Sequence, residues 1–161
     1  MTTRNAAVLT ISDSAASGTR PDLSGPAVRE RLEQSGWSVP LLEVLPDDAA
    51  RISARLTELA DGGFFAAIFT TGGTGLGPRD VTPEATRAVI HREIPGFGEL
   101  MRSEGRRHTP LASLSRAVSG ARGQVLIVNL PGSPKGAVES LDAVAQLIPH
   151  VLDLLQGKTG H

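Results

Sequence analysis

The amino-acid sequence predicts an α/β protein, a three-layer α/β/α sandwich with a mostly parallel central sheet. Apolar runs at residues 6–12, 65–69 and 124–130 are nearly continuous, which is typical of strands covered on both faces. Each run leads into a turn rich in small or polar residues and then into a helical pattern. This alternation of strands and helices indicates βα units that share one sheet.

The first part of the chain alternates regularly between strands and helices. Ser24 or Gly25 is expected to cap the first helix, because Pro26 suits its first turn, and Gly36 should end it. Pro40 interrupts the second strand, which favours an edge position or a bulge there. The predicted elements are a strand at 6–12, a polar loop at 13–22, a helix at 24–36, a strand at 37–45, a turn at 46–48 and a helix that ends at 62–63.

The second part of the chain contains the third strand and the clearest buried strand. Pro95 and Gly96 should break the helix that starts after the third strand, and Pro149 should kink or divide the last helical segment. His91 and His150 are interpreted as helix positions. The remaining predicted elements are a short helix at 97–102, a basic loop at 105–110, a short strand at 116–120, a strand at 124–130 and an amphipathic segment at 137–155.

The composition excludes several classes of protein. A length of 161 residues without a linker or an internal repeat suits one domain. The net charge of −1 and the absence of Tyr argue against a nucleic-acid binder. The absence of Cys excludes disulfides, thiolate metal sites and cysteine nucleophiles. Neither a signal peptide nor an apolar stretch of about 20 residues is visible, so we expect a cytoplasmic protein without membrane contact.

The segment at residues 65–84 is the strongest candidate for a functional site. Its apolar run leads into four Gly and two Thr between residues 71 and 77. Glycine lets backbone N–H groups wrap an anion, because it lacks a Cβ atom and tolerates positive φ. Thr82 is predicted to cap the next helix, with Pro83 at its first position and Glu84 near the positive end of its dipole.

This glycine-rich loop matches neither common nucleotide motif. It lacks the G-x-x-x-x-G-K-[ST] pattern of a P-loop, and its glycines do not form G-x-G-x-x-G. Asp80 adds a carboxylate beside the expected phosphate, which suggests a metal ion. Phosphate or nucleotide binding is therefore the favoured function, while a purely structural turn and an ordinary Asx turn at Asp80 stay open.

Three loops that follow strands should meet at one end of the sheet, because parallel strands share their carboxyl end. These loops begin at residues 12–14, 71–80 and 131–135. In the third loop, backbone amides, Ser133 and Lys135 could hold an anion. The alternative is a rigid turn with a solvated lysine.

Other polar residues also have two interpretations. Asp47 is a candidate metal ligand, but the residues alone favour a helix cap, a role that Asp48 could also fill. Arg116 is a natural fork for phosphate or a polar heterocycle, or else forms a surface ion pair. The basic residues at 102–108 are better explained as a solvated face than as a nucleic-acid site, and the four His show no metal-ligand spacing.

Several short motifs together indicate a family. The most informative are Thr-Gly-Gly-Thr-Gly at 71–75 and Pro-Arg-Asp-Val-Thr-Pro-Glu at 78–84. With them the chain resembles the molybdenum-cofactor biosynthesis proteins that bind molybdopterin, including bacterial molybdopterin adenylyltransferases and the corresponding domains of gephyrin and its plant counterpart. The other motifs are Thr-Ile-Ser-Asp at 10–13, Asp-Leu-Ser-Gly-Pro at 22–26, Leu-Pro-Asp-Asp at 45–48, Ile-Pro-Gly-Phe-Gly-Glu at 94–99, Leu-Ser-Arg at 114–116 and Asn-Leu-Pro-Gly-Ser-Pro-Lys at 129–135.

The resemblance implies a Mg²⁺-dependent reaction in which ATP adenylylates molybdopterin and pyrophosphate leaves. It also implies a homotrimer and transfer of the product to a molybdenum-insertion protein. Asp47 and Asp80 match the family's two functionally important aspartates, so both are expected to be catalytic and to bind Mg²⁺. This reverses the interpretation of Asp47 as a helix cap.

The resemblance also implies binding residues. We expect the glycine-rich loop to hold phosphate and adenylate, and the segments near residues 115 and 131 to line the molybdopterin side. The expected binding residues are Ser12, Asp13, Ser24, Gly25, Thr71, Gly72, Gly73, Thr74, Gly75, Thr82, Pro83, Ser115, Arg116, Pro131, Gly132, Ser133 and Lys135.

The length favours a stand-alone adenylyltransferase, because larger relatives carry further domains. We expect residues 1–157 to form a single molybdopterin-binding domain and residues 158–161 to be a flexible tail. A branch of the family that binds the pterin without clear catalysis tends to depart from the motifs at 46–48 and 78–83, which this chain keeps. Binding without turnover is the alternative function.

Overall fold

The computed structural model describes residues 3–160, so Met1, Thr2 and His161, the end of the predicted tail, lie outside it. The strands are β1 (Asn5–Ile11), β2 (Ser38–Leu45), β3 (Ala67–Thr71), β4 (Arg92–Glu93), β5 (Ser119–Arg122) and β6 (Val125–Leu130). The helices are α1 (Asp13–Ala16), α2 (Ser24–Gln34), α3 (Ala49–Asp61), α4 (Thr82–Arg87), α5 (Pro95–Gly105), α6 (Pro134–Val144) and α7 (Ile148–Leu155), with 3₁₀ turns at Pro110–Leu114 and Ala145–Leu147.

The strands form one six-stranded sheet in the order β2-β1-β3-β6-β5-β4. Strands β2, β1, β3 and β6 are parallel, whereas β5 runs antiparallel to β6 and β4 antiparallel to β5. The prediction of a mostly parallel sheet is therefore confirmed. Within residues 3–160, no helix is both long and apolar enough to cross a membrane.

Alternate residues of the central strands enter two separate cores. Val8 and Phe69, which are neighbours across β1 and β3, pack with α2, α5, α6 and α7 on one face of the sheet. Leu9 and Ile68 pack with α3 and α4 on the other face. Because both faces are covered by helices, the central strands are apolar at nearly every position, and the three-layer prediction is confirmed.

Two predicted helix caps are wrong. Thr82 is the first residue of α4, and its Oγ1 donates a hydrogen bond to the Gly72 carbonyl oxygen instead of capping the helix. Ser24 and Gly25 both lie inside α2, and the Gly25 N–H donates to Asp22 Oδ1 at 3.0 Å. In the first case a contact with the preceding loop replaces the local cap, and in the second the capping side chain lies two residues earlier.

Several smaller predictions also differ from the structure. The segment at 13–22 is not all loop, because Ser12 Oγ accepts from the Ala15 N–H and caps α1. His91 lies in a bend before β4 rather than on a helix, and its Nδ1 accepts from the Gly123 N–H. The predicted short helix at 97–102 is longer, since Pro95 starts α5. Pro95 and Gly96 do not break the preceding helix, because α4 already ends at Arg87 and β4 lies between.

The predictions for Pro40 and Pro149 are confirmed. Pro40 lies in β2 where the pairing with β1 shifts register, between the pairs Asn5–Ser38 and Ala7–Leu41, and β2 is an edge strand. Pro149 lies in the first turn of α7, after a 3₁₀ turn that separates α7 from α6.

Phe69→Ala should strongly lower the free energy of unfolding. Phe69 is fully buried, and its ring meets the Trp37 ring edge-on with centroids 6.0 Å apart. Removing a core Phe ring typically costs about 3–5 kcal/mol. Chemical unfolding followed by the fluorescence of Trp37, the only Trp, measures the change. Phe64→Ala is the matched control, because Phe64 is 59% exposed. Equal losses in the two variants would contradict the prediction.

Candidate functional site

The candidate site lies at the carboxyl end of the parallel strands, as predicted. Strands β1, β3 and β6 are neighbours, so the three loops that follow them leave the sheet together. Backbone bonds join the starts of these loops to adjacent strands: the Ser12 N–H donates to the Leu45 oxygen at 2.9 Å, and the Gly72 N–H to the Leu130 oxygen at 3.1 Å. Strand β2 ends there too, which brings Asp47 to the same place.

The glycine loop, residues 72–81, begins with two positions that favour glycine. Gly72 and Gly73 have φ values of 105° and 69°, which other residues rarely adopt. A Cβ atom at Gly72 would collide with the Ile11 carbonyl oxygen, and one at Gly73 with Thr82 Oγ1. The missing side chains therefore let the loop pass directly over the end of β1.

Thr82 closes the glycine loop from its other end. Its Oγ1 donates to the Gly72 oxygen at 2.9 Å, and its N–H donates to the Gly73 oxygen at 3.2 Å. Thr82 is fully buried, so this bonding is shielded from water. The loop thus has a fixed base, and residues between its ends are held close to the sheet.

Asp47 and Asp13 form a reciprocal pair. The Asp13 N–H donates to Asp47 Oδ2 at 2.9 Å, and the Asp47 N–H donates to Asp13 Oδ1 at 3.0 Å. Arg79 of the glycine loop donates from Nε and Nη2 to both Asp13 oxygens, at 3.0 and 3.1 Å. Asp47 is not the helix cap, since Asp48 Oδ1 accepts from the Arg51 N–H and caps α3.

The carboxylates of this pair differ in their affinity for protons. Hydrogen bonds from Arg79 and from the Asp47 backbone hold the pKa of Asp13 below its ordinary value of 3.8. Burial raises the pKa of Asp47 above 3.8, and the negative charges of Asp13 and Asp80 contribute to the rise. A cation beside Asp47 would offset both effects, so its environment favours a positively charged ligand.

The glycine loop closes around Asp80. The Gly77 N–H donates to Asp80 Oδ2 at 2.9 Å, and the Asp80 N–H donates to the Gly77 oxygen at 3.0 Å. Cβ atoms at Gly75 and Gly77 would come within 2.8 and 2.9 Å of Oδ2. The local turn that the sequence left open at Asp80 is present, and it leaves the second carboxylate oxygen available.

The donor set fits a Mg²⁺ ion shared with phosphate. Within the described residues, neither Asp47 Oδ1 nor Asp80 Oδ1 accepts a hydrogen bond. No group of three or more His, Cys, Asp or Glu in the described part of the chain is placed to hold a metal alone. Mg²⁺ commonly takes one or two carboxylates and completes its shell with phosphate oxygens and water. The two aspartates therefore suit an ion that is shared with a phosphorylated ligand.

Two cavities meet at this centre. The α5 cavity, about 430 Å³, lies between the glycine loop, α5, the 3₁₀ turn after it and the start of α6. The β1 cavity, about 380 Å³, lies between the loop after β1, the start of α2 and the glycine loop. Both are lined by Gly73, Asp80 and Gly132. Each volume is within the range of small-molecule sites, and Asp80 stands in their common wall.

Most of the predicted site residues line these cavities. Their contact with ligands stays a prediction, but the structure brings them together from several loops. The β1 cavity is lined by Ser12, Ser24, Asp47, Thr71 and Gly72 in addition to the common wall. The α5 cavity is lined by Thr74, Gly75, Ser115, Pro131 and Ser133 in addition to the common wall.

The remaining predicted residues line neither cavity. Thr82 and Pro83 are buried beneath the glycine loop. Gly25 is buried so closely that a Cβ atom would collide with the side chains of Thr10 and Asp22. Lys135 is 84% exposed beside Glu139. The other two residues that line neither cavity, Asp13 and Arg116, bond to neighbouring loops.

Arg116 uses its guanidinium group within the protein. Nε donates to the Gly75 oxygen at 2.8 Å, Nη2 to the Asp80 oxygen at 2.9 Å and Nη1 to Glu84 Oε1 at 2.6 Å. The ion pair that the sequence left open for Arg116 is therefore present. Ser133 Oγ accepts from the Gly136 N–H and caps α6 while it lines the α5 cavity.

Some cavity residues were missed from the sequence. Asp22 accepts from Thr10 Oγ1 at 2.8 Å and from the Gly25 N–H at 3.0 Å, which fixes it at the β1 cavity. An acidic residue three positions before a helical N–H is a capping signal that could have found it. Met101 and Leu111 give the α5 cavity an apolar wall, and no local pattern indicates that they meet.

The fold and the site define a class: an α/β protein with a glycine-rich loop and two carboxylates at the carboxyl end of a parallel sheet, an arrangement that suits a phosphorylated ligand. A family model described as a probable molybdopterin binding domain matches residues 7–150. The chain belongs to this family of molybdopterin-binding domains, which confirms the resemblance found in the sequence.

Individual relatives agree with this assignment. The molybdopterin adenylyltransferase of Helicobacter pylori (strain J99) is 42% identical, over 98% of this chain and 90% of that protein. The Escherichia coli (strain K12) molybdopterin adenylyltransferase is 41% identical, over 98% and 88%. The solved structure of the molybdopterin biosynthesis enzyme MoaB from Thermus thermophilus has a TM-score of 0.90 and 50% identity, covering 96% of this chain and 98% of that chain. The Mog protein of Mycobacterium ulcerans gives 0.88 and 41%, covering 98% and 99%.

Arg79→Gln should raise the pKa of Asp13 towards 3.8, because the Arg79 hydrogen bond is the main cause of its low value. The stability that this pair contributes is present above the unfolded pKa and is lost as the pH falls through the folded pKa. The difference in the free energy of unfolding between the wild-type protein and Arg79→Gln should therefore become smaller as the pH is lowered. Carboxyl chemical shifts followed by NMR measure the pKa, and an unchanged Asp13 pKa would contradict the assignment. Arg122→Gln, which removes the partner of Asp61, is the control and should leave Asp13 unaffected.

Proposed function

We propose that this chain catalyses the transfer of the adenylyl group of ATP to molybdopterin, with release of pyrophosphate. It is a molybdopterin adenylyltransferase of molybdenum-cofactor biosynthesis, as its curated relatives are named. The common wall of the two cavities, formed by Gly73, Asp80 and Gly132, supports the proposed reaction. A group transfer between two bound substrates requires their reacting ends to meet in one place.

We assign the α5 cavity to molybdopterin and the β1 cavity to the nucleotide. Met101 and Leu111 give the α5 cavity an apolar surface that suits a flat pterin ring, and Ser115 adds a hydroxyl group. The β1 cavity places the hydroxyl groups of Ser12 and Ser24 near the start of the glycine loop, as ribose and phosphate would require. The two reacting phosphates would then meet beside Asp80.

The proposed reaction requires little acid–base catalysis by the protein. The terminal phosphate of molybdopterin attacks the α-phosphorus of ATP, and the bond to pyrophosphate breaks. Since the nucleophile is already an anion, no strong general base is needed. The protein must align two anions and offset their repulsion. Backbone N–H groups of the glycine loop would supply positive potential for this task.

Asp47 and Asp80 are the residues that would hold Mg²⁺, and the bound ion would neutralise charge on the phosphates. Asp13 orients Asp47 through their two reciprocal hydrogen bonds. The Gly77 N–H fixes one oxygen of Asp80. These contacts hold each carboxylate in place before ligands bind, which reduces the reorganisation that the reaction requires.

Asp80→Asn should retain the fold but lose activity by about 100-fold or more, because it removes charge from the reacting centre. Pyrophosphate release is measured with molybdopterin and Mg-ATP, and again with each component omitted. Asp153→Asn, a surface change on α7, should keep full activity. Full activity in Asp80→Asn would remove Asp80 from the mechanism. A wild-type protein that binds molybdopterin but releases no pyrophosphate would instead be a binding protein without turnover.

The resemblance further supports a homotrimer that passes its product to a molybdenum-insertion protein. Light scattering during gel filtration should then give three times the chain mass of 16.8 kDa. A single-chain mass at all concentrations would overturn the trimer and leave the reaction itself to the pyrophosphate assay.

A further inference from the structure

Arg116 donates several hydrogen bonds to the backbone of the glycine loop. Its backbone N–H donates to the Thr74 oxygen at 2.9 Å. Its guanidinium group bonds to the carbonyl oxygens of Gly75 and Asp80 and to the Glu84 carboxylate. Arg116 thus contacts the glycine loop at Thr74, Gly75 and Asp80, and it also contacts Glu84 in the helix that follows.

Apart from Arg116, the described side-chain contact that holds the outer part of the loop to the rest of the protein is the pair of hydrogen bonds from Arg79 to Asp13. Between residues 75 and 80, the described hydrogen bonds within the loop are the two that join Gly77 and Asp80. Glycine-rich backbone loses much conformational entropy when it is fixed, so such a loop needs outside partners to stay in one conformation. Arg116 satisfies two carbonyl oxygens that no strand or helix satisfies.

We propose that Arg116 is a positioning residue that sets the place of the Asp80 carboxylate through the glycine loop. This inference rests on the proposed function, since it assigns Asp80 to the reacting centre. It differs from a direct contact of Arg116 with molybdopterin. The side chain lines neither of the two cavities, although its neighbour Ser115 lines the α5 cavity.

The bonding geometry explains why arginine stands at this position. Nε, Nη1 and Nη2 each reach a different acceptor, and a planar fork can do this in one conformation. A lysine keeps the charge but concentrates it at one flexible ammonium group. Glu84 completes the arrangement: its hydrogen bond with Arg116 lowers the pKa of the carboxyl group, so the pair stays charged near neutral pH.

Arg116→Lys therefore separates positioning from charge. We expect kcat for pyrophosphate release to fall by about 100-fold, because small displacements of a catalytic group have effects of that size. The Kd of molybdopterin should change less than about threefold, since a positioning residue does not touch this substrate. Guanidinium ions added to Arg116→Ala should restore part of kcat, which recovery of the fold alone would not do.

Arg122→Lys is the matched control. Arg122 also bonds through three nitrogens, to both Asp61 oxygens and to the Val89 oxygen, but it lines neither of the two cavities that meet at Asp80. Its replacement should leave kcat and Kd unchanged. Circular dichroism of each variant checks that the fold is intact, and Glu84→Gln serves as a milder change that keeps a hydrogen-bond acceptor for Arg116.

Hydrogen exchange at the Gly77 amide tests the positioning without turnover. This amide bonds to Asp80, so its exchange should accelerate by about tenfold or more in Arg116→Lys and not in Arg122→Lys. Unchanged exchange with full activity would overturn the proposal, and so would a weaker Kd of molybdopterin with unchanged kcat. If the wild-type protein lacks turnover, the proposed function fails, and the exchange result alone decides whether Arg116 holds Asp80 in place.

Discussion

The site depends on a close approach of backbone to backbone at Gly72. A side chain there would collide with the last carbonyl of β1, and a Cβ at Gly132 would come within 3.3 Å of the Gly72 Cα. The loops after β3 and β6 therefore lie against each other and against the end of β1. Thr71 reinforces this contact, because its Oγ1 donates to the Pro131 oxygen at 2.6 Å. Without this close approach of the loops, the two cavities would have no wall in common.

Three aspartates and two arginines lie around the place where these loops meet. Asp13, Asp47 and Asp80 follow three different strands, and burial together with the negative charges of Asp13 and Asp80 raises the pKa of Asp47. Arg79 and Arg116 hold the glycine loop from two sides, one through a carboxylate and the other through carbonyl oxygens. The acidic groups are therefore kept close at an electrostatic cost, which a bound cation would reduce.

The layers could be predicted, and so could the end of the sheet at which the three loops meet, because apolar runs and the alternation of strands and helices are visible in the local sequence. Contacts between distant residues could not. Arg116 reaches Gly75 across 41 positions, and no periodicity indicates that pair. Asp47 shows the same limit, since its local pattern allowed a metal ligand but favoured a helix cap, and the family resemblance was needed to reverse that preference. The prediction that Thr82 caps a helix was wrong because its hydroxyl donates to the Gly72 oxygen instead, and the position of that oxygen depends on how the loop folds.

The edges of the sheet have a consequence for how copies of the chain can meet. On one side, β2 carries Pro40 at a register shift, which removes an N–H donor and bends the strand. On the other side, β4 is only two residues long. Neither edge offers a long, regular row of donors and acceptors to a further strand. Both features disfavour strand-to-strand pairing between copies of this chain, which protects the sheet from extending into aggregates.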